Sequence, residues 1–351
     1  MPDEEKDFLL PDDLSATPAP RGFPAGQMVA CEECLRANPP TRMRCLYCGV
    51  PLPSTETTAA LRRPVLRPLE EWERGFNVVL LPRAAKEISA QSLGEACDLL
   101  RLERTHLQEL VSANCALPLA LVRSAEEADL ITERLGALGF SVETFPDEAL
   151  APATQTPRRI RALDVAHPSH VVGRTSVEDA GCAIAWTEVA LLVVGRIYTR
   201  RIELEERPER FKARNEIKEA RELASDEAVL DIHTFADDGD RASWRIMADG
   251  FDYSCLGERK TLLARDNFVT LVKLLRERAT AHAFDEDYGR VRQLLSAAWP
   301  PQEHTQSRGL RRERPGKFNT EALTIVSNET QFTRYSRLRR LLRRRELQRG
   351  T

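Results

Sequence analysis

No stretch of this chain comes near the roughly 18 to 20 uncharged apolar residues that cross a bilayer. The longest apolar run, Val189 to Val194, soon turns charged, so no membrane span is expected. The opening residues MPDEEKDFLL are acidic, where a secretory leader is basic and then hydrophobic. A cytoplasmic protein is the expectation. Signatures of catalysis are missing too: there is no G-x-x-x-x-G-K-[ST] phosphate loop, G-x-G-x-x-G after a strand, G-x-S-x-G elbow or H-E-x-x-H. His167 and His170 form an H-x-x-H in the loop-like sequence HPSH, while His106 and His233 stand alone and support no triad. Asp237, Asp238 and Asp240 lack the glutamate that completes a calcium loop and read as a polar hairpin turn. These absences favour a non-enzymatic protein. They leave open an enzyme whose site is assembled from residues far apart in sequence.

With 351 residues and 42% apolar side chains, the chain has material for two or three domains with cores of their own. A net charge of −3 hides an asymmetry, since residues 1–20 carry six acids against Lys6 and residues 331–351 carry eight arginines against Glu346. A basic end of this kind seeks phosphates, acidic proteins or the protein's own acidic surface. Of eight cysteines, four fall within 18 residues, and Cys97, Cys115, Cys182 and Cys255 are scattered among apolar neighbours. That distribution predicts one metal site plus buried free thiols in a reducing compartment.

The predicted organisation is multidomain α+β: a zinc ribbon, a small βαβαβ-type domain and a β-rich domain closed by a C-terminal helix. Residues 1–26, rich in Pro, Asp and Ala, read as a disordered acidic arm. Residues 27–52 hold the cysteine cluster, and 53–71 a Pro- and Thr-rich linker. Over 72–146, FNVVLLP and LPLALV read as strands, with LGEACDLLRLERTHLQELVSA as one or two helices between them. Ser124 followed by Glu127 is a capping-box signature for a helix that stops near Gly139, before the strand FSVETF. Residues 147–162 read as a second linker. Over 163–300 several strand-like runs precede a helix in which Phe268, Leu271, Val272 and Leu275 share one face. Trp186 and Trp244 are expected in its core. Residues 301–351 read as a polar and basic tail, with TEALTIVS as an isolated strand and YSRLRRLLRRRELQ as a basic helix.

The sequence CEECLRANPPTRMRCLYCG supplies C-x2-C, ten residues, then C-x2-C-G. Cys31, Cys34, Cys45 and Cys48 would offer the tetrahedral four-thiolate set of one structural zinc ion, and Gly49 suits the tight knuckle. Iron takes the same ligands, and two disulfides are the non-metal alternative. Four thiolates close the coordination sphere, so a catalytic metal is not expected. With Asn38 in place, the spacing resembles Ran-binding-protein-type zinc fingers, and RCLYCG is similar to bacterial zinc ribbons. The resemblance implies protein or single-stranded RNA recognition by this module. The chain departs from that pattern with Val29 where the family has tryptophan and Leu35-Arg36 where its ubiquitin-binding members have Thr-Phe. Arg36, Arg42 and Arg44 are candidate RNA contacts, but no stacking aromatic is read beside them.

Over 76–145 the order FNVVLL, LGEACDLL, short strand, SAEEADLITERLGALGFSVETF is similar to the C-terminal domain of the bacterial ribosomal stalk protein and to the Clp-protease adaptor of the same fold. The resemblance implies a protein-interaction platform, without the lysine-rich face of the stalk protein, since Lys86 stands alone. Residues 163–283 resemble a pleckstrin-homology-type barrel, for which Arg200, Arg201 and Arg207 would be the basic strand loop.

In the tail, Arg334, Arg337, Arg339, Arg340, Arg343, Arg344 and Arg345 are candidate contacts for nucleic acid or an acidic partner. The expectation is an adaptor or regulatory protein that uses its zinc module to bind protein. The alternative is an RNA- or ribosome-associated protein that uses the module and the arginines together.

Overall fold

The computed structural model describes residues 22–67, 69, 73–82, 88–151, 156–176, 178–207, 216–236, 241–279, 282–314 and 317–350. Most of the expected acidic arm, Lys86 and the Asp237–Asp240 turn lie outside the described residues. The chain folds into two compact units, Met1–Pro64 and Val65–Thr351.

In the first unit, β1 (Val29–Ala30) pairs antiparallel with β2 (Ala37–Asn38), and Arg44 bridges Pro51 to form a second short hairpin. The segment expected as a linker from residue 53 instead begins with a helix, α1 (Glu56–Leu61). Thr55 caps it reciprocally: the Thr58 amide donates to Thr55 Oγ1, and the Thr55 amide to Thr58 Oγ1 at 2.8 Å. The buried Arg62 guanidinium then donates back to the Pro53 carbonyl at 2.8 Å, which keeps the segment with the cysteine module through Pro64.

The second unit opens with β3 (Phe76–Leu80), α2 (Ala90–Leu100), α3 (Arg104–Ser112), β4 (Leu117–Val122), α4 (Ala125–Ala137) and β5 (Val142–Pro146). Its sheet runs β4-β3-β5, with β3 central and antiparallel to both neighbours. Apolar β3 is buried because α2, α3 and α4 pack their apolar faces against this sheet. Ser124 caps α4 as expected, accepting from the Glu127 amide. The return half of the capping box does not form: the buried Glu127 carboxylate instead accepts from the amides of Val65 at 2.6 Å and Leu66 at 3.0 Å.

The chain continues through α5 (Asp147–Leu150), β6 (Arg158–Ile160), β7 (Ala162–Asp164), β8 (His170–Arg174) and β9 (Cys182–Ala185). Next come β10 (Val189–Arg207), β11 (Glu216–Thr234), β12 (Ser243–Met247), α6 (Ala264–Arg278), β13 (Ala283–Asp285) and α7 (Tyr288–Val291). The last elements are β14 (Gln302–Arg314), β15 (Lys317–Ser327) and α8 (Glu329–Gly350). Strands β7, β8 and β9 form a small antiparallel sheet. The large sheet runs β14-β15-β10-β11-β12-β6, and β13 adds in parallel beside the first part of β10. Strands β10 and β11 are 19 residues each and make one long hairpin.

Alternation along these strands separates two cores. Val189, Leu192, Leu230, Ile232, Trp244 and Ile246 face a core closed by α6. Phe268, Leu271, Val272 and Leu275 fill it as their spacing predicts, and Trp186 is buried with them. Leu191, Val193, Ile197 and Val229 face a core shared with the β4-β3-β5 subdomain and closed by Phe332, Tyr335 and Leu338 of α8.

Here the structure corrects the expected segmentation. The described parts of 147–162, expected as a linker, belong to the fold: Asp147 is buried, accepts from Asn77 Nδ2 at 3.2 Å and takes a two-pronged ion pair from Arg334 at 2.9 Å, and β6 (Arg158–Ile160) pairs with β12. Trp299 Nε1 donates to Asn77 Oδ1 at 2.7 Å, joining the same network. Residues 301–351 are not a tail, because β14 and β15 extend the large sheet and α8 seals one of its faces. Segments 72–146 and 163–300 therefore share one core instead of standing as separate domains.

Candidate metal centre

Each C-x-x-C of the first unit occupies a knuckle at the end of a short hairpin. The Leu35 amide donates to the Cys31 carbonyl at 2.8 Å and the Gly49 amide to the Cys45 carbonyl at 3.1 Å, so the two turns are equivalent. The residue after the second cysteine has positive φ in both, +57° at Leu35 and +75° at Gly49. Glycine adopts this backbone freely, whereas leucine is strained in it. The strained Leu35 side chain is 80% exposed and gains no compensating burial in the unit.

Asn38, fully buried, ties the knuckles together. Its Nδ2 donates to the Arg36 carbonyl at 2.9 Å and to Cys45 Sγ at 3.5 Å, while its Oδ1 accepts from the Leu46 amide at 2.8 Å. The four sulfurs lie within 4.8 Å of one another, with Cys31–Cys48 and Cys34–Cys45 each at 3.5 Å. These are free thiols, well beyond disulfide length. Bonds of about 2.3 Å to a tetrahedral ion imply sulfur–sulfur edges of about 3.8 Å, which this cluster matches. Zinc and iron both suit such a site.

Charge argues the same way. Burial opposes the Cys45 thiolate, but the Cys48 and Tyr47 amides and the Asn38 side chain outweigh it and bring the pKa down to about 6. At Cys48 the Val50 amide favours the thiolate, yet desolvation and the neighbouring sulfurs push the pKa up to about 12. One thiol ionises readily and its neighbour resists, because closely spaced thiolates repel one another.

Comparison with known protein families, with characterised proteins and with solved structures finds no match. The chain's own geometry carries the functional argument.

Arg36, Arg42 and Arg44 are all exposed. Arg42 Nε donates to the Arg44 carbonyl and Arg44 Nη1 to the Gly49 carbonyl, each at 3.3 Å. Arg36 stacks over the ring of Tyr47, 4.7 Å from its centroid. Sequence reasoning missed Tyr47 as a stacking aromatic. Its signal was its place between Cys45 and Cys48, inside a knuckle too tight to bury it. Leu35 and Leu46 are exposed at the same two knuckles.

The arginines of α8 do not form a free basic face. Arg334 binds Asp147, Arg339 binds Asp285, Arg345 binds Glu143 and stacks over Phe145, and Arg340 donates to the Ala236 carbonyl. Arg343 meets Glu346 at 3.4 Å, and half-buried Arg344 is also partnered. Arg337 is buried, and desolvation lowers its pKa. Most of this charge serves the protein's own acidic groups. His167 and His170 stack at 3.9 Å with Ser169 Oγ between their Nδ1 atoms, and no third metal-ligating group joins them among the described residues.

Proposed function

We propose that this protein is a non-catalytic adaptor or regulatory protein, and that its four-cysteine module holds one structural zinc ion and binds a protein partner through its knuckle tips. The carrying observation is the exposure of Leu35, Leu46 and Tyr47 on a module whose buried apolar core, among the described residues, is Cys31, Cys45 and Leu52 with Val29 and Cys34 packed against them. Apolar side chains held outward on a metal-rigidified turn lose little entropy on binding, which makes them effective anchors. Arg36 over Tyr47 adds a flat cationic element to the same surface.

The test combines elemental analysis with quantitative co-purification, using the full chain, Cys45→Ser and the pair Leu35→Ser with Leu46→Ser. The proposal expects one zinc per chain in the native protein and in the leucine variant, and little in Cys45→Ser. It further expects one defined set of bound proteins lost in both variants. Zinc retained in Cys45→Ser, or the same proteins bound by all three chains, would overturn it.

A second reading rests on the Arg36–Tyr47 pair, which has the composition of a base-stacking platform. On that reading, single-stranded RNA binds at low salt, weakens steeply as salt rises, and is lost in Tyr47→Ala. An absence of RNA binding at 50 mM salt removes it.

A further inference from the structure

We propose that the turn Thr261–Leu263, with the exposed face of α6, is a peripheral docking surface for an anionic lipid bilayer. Leu262 is 103% exposed, Leu263 63% and Val269 47%, the largest concentration of exposed aliphatic surface among the described residues of the second unit. Singly exposed leucines need no explanation, but a cluster held outward does.

The exposure is built. Asn267, buried on the core side of α6, accepts from the Thr261 amide at 2.6 Å and donates to the Thr261 carbonyl at 2.8 Å. The Leu263 amide donates to Thr261 Oγ1 at 3.3 Å. Thr261 is thereby pinned through its backbone in both directions, and the next two side chains have no route into the core that Phe268 and Leu271 already fill.

Charge identifies the occupant. Arg259 and Lys260 precede the leucines and Arg265 follows them. Lys273 lies two helical turns beyond Arg265, on the same exposed face as Val269. Residues 258–273 carry these four cations against Glu258 and Asp266, and Asp252 approaches Lys260 at 4.0 Å. An apolar apex with basic side chains set back along its flanks matches a bilayer interface: leucines enter the acyl boundary while long cationic stems reach lipid phosphates. The apolar cleft of a protein would call for the leucines but not for the cationic flanks. Each basic residue near an anionic surface contributes about fivefold in affinity, so binding should depend on both parts.

The experiment is flotation of the full-length protein with vesicles of phosphatidylcholine alone or with 30 mol% phosphatidylserine, at 50 and 300 mM salt. Native protein is expected on the anionic vesicles at low salt, with much less on neutral vesicles or at high salt. Leu262→Ser with Leu263→Ser should weaken binding about tenfold, and Lys260→Glu with Arg265→Glu by at least as much. All four side chains are exposed, so circular dichroism should show both variants folded. No binding by native protein, equal binding to neutral vesicles, or undiminished binding by the leucine variant would each overturn the proposal. The first of these outcomes would reassign the leucines to a protein cleft.

Discussion

Leu35 sets local stability against exposed chemistry. It occupies a left-handed backbone position that Gly49 fills in the sister knuckle, and its side chain faces solvent. Leu35→Gly should therefore stabilise the metal-loaded module by about 1 kcal/mol, measured as a higher denaturant midpoint for the first unit, while abolishing whatever the knuckle surface binds. A variant that is less stable would show that the leucine contributes to the fold and is not retained for contact. His233 presents the opposite situation, a polar group with no exposure at all. It lies between Ser243 Oγ and Ser336 Oγ, each at 2.7 Å, and desolvation pulls its pKa from 6.5 down to about 3. The unfolded chain takes up a proton as pH falls through 6.5 and the native chain does not, so stability declines from there to about pH 3. The loss from pH 7 to pH 5 should be about 2 kcal/mol. In urea titrations, His233→Gln should flatten that part of the stability profile, and an unchanged slope would refute the assignment.

At the scale of elements, the decisive contact is where α8 crosses β10. A Cβ at Gly195 would lie 2.4 Å from Phe332 Cε2 and 3.0 Å from Tyr288 Cδ1, both rigid rings in the buried core. Gly195→Ala should cost about 1–3 kcal/mol through overpacking, read as a lower thermal midpoint. Retention of the native midpoint would mean that α8 is not seated on the sheet as described. Much of what surrounds this crossing was not readable from sequence. The α6 stripe was, because its apolar residues repeat with the helix, and so was β3, a short β-branched run closed by Pro82. Strand β14, QEHTQSRGLRRER, has no apolar alternation to mark it, and its strand form comes from the ladder with β15. Helix α8 read as a basic helix in a tail because most of its counter-charges lie far away in the chain. Arg334 finds Asp147 across 187 residues, a pairing no local window contains. The cysteine cluster was readable in full because its ligands are close in sequence, whereas the exposed knuckle surface needed the turn geometry.

At the scale of the molecule, the two units rest on different physics. The first has a very small apolar core among its described residues, and an ion held by its four sulfurs would add the folding energy that burial does not supply. The second depends on burial on both faces of a long sheet, reinforced by a buried ion pair in which Arg245 meets Asp231 through two bonds of 2.7 and 2.8 Å. Breaking that pair from one side would strand a buried charge, a larger penalty than the pair's net contribution.

The Asn77–Trp299 hydrogen bond spans 222 residues. At ribosomal speeds of about 5–20 residues per second, the first partner waits roughly 10–45 seconds for the second. During that interval the part of β3 and β4 that Trp299 and the turn Leu294–Ala297 will meet is left uncovered. The contact that unites this unit thus also sets the length of an exposed interval during synthesis.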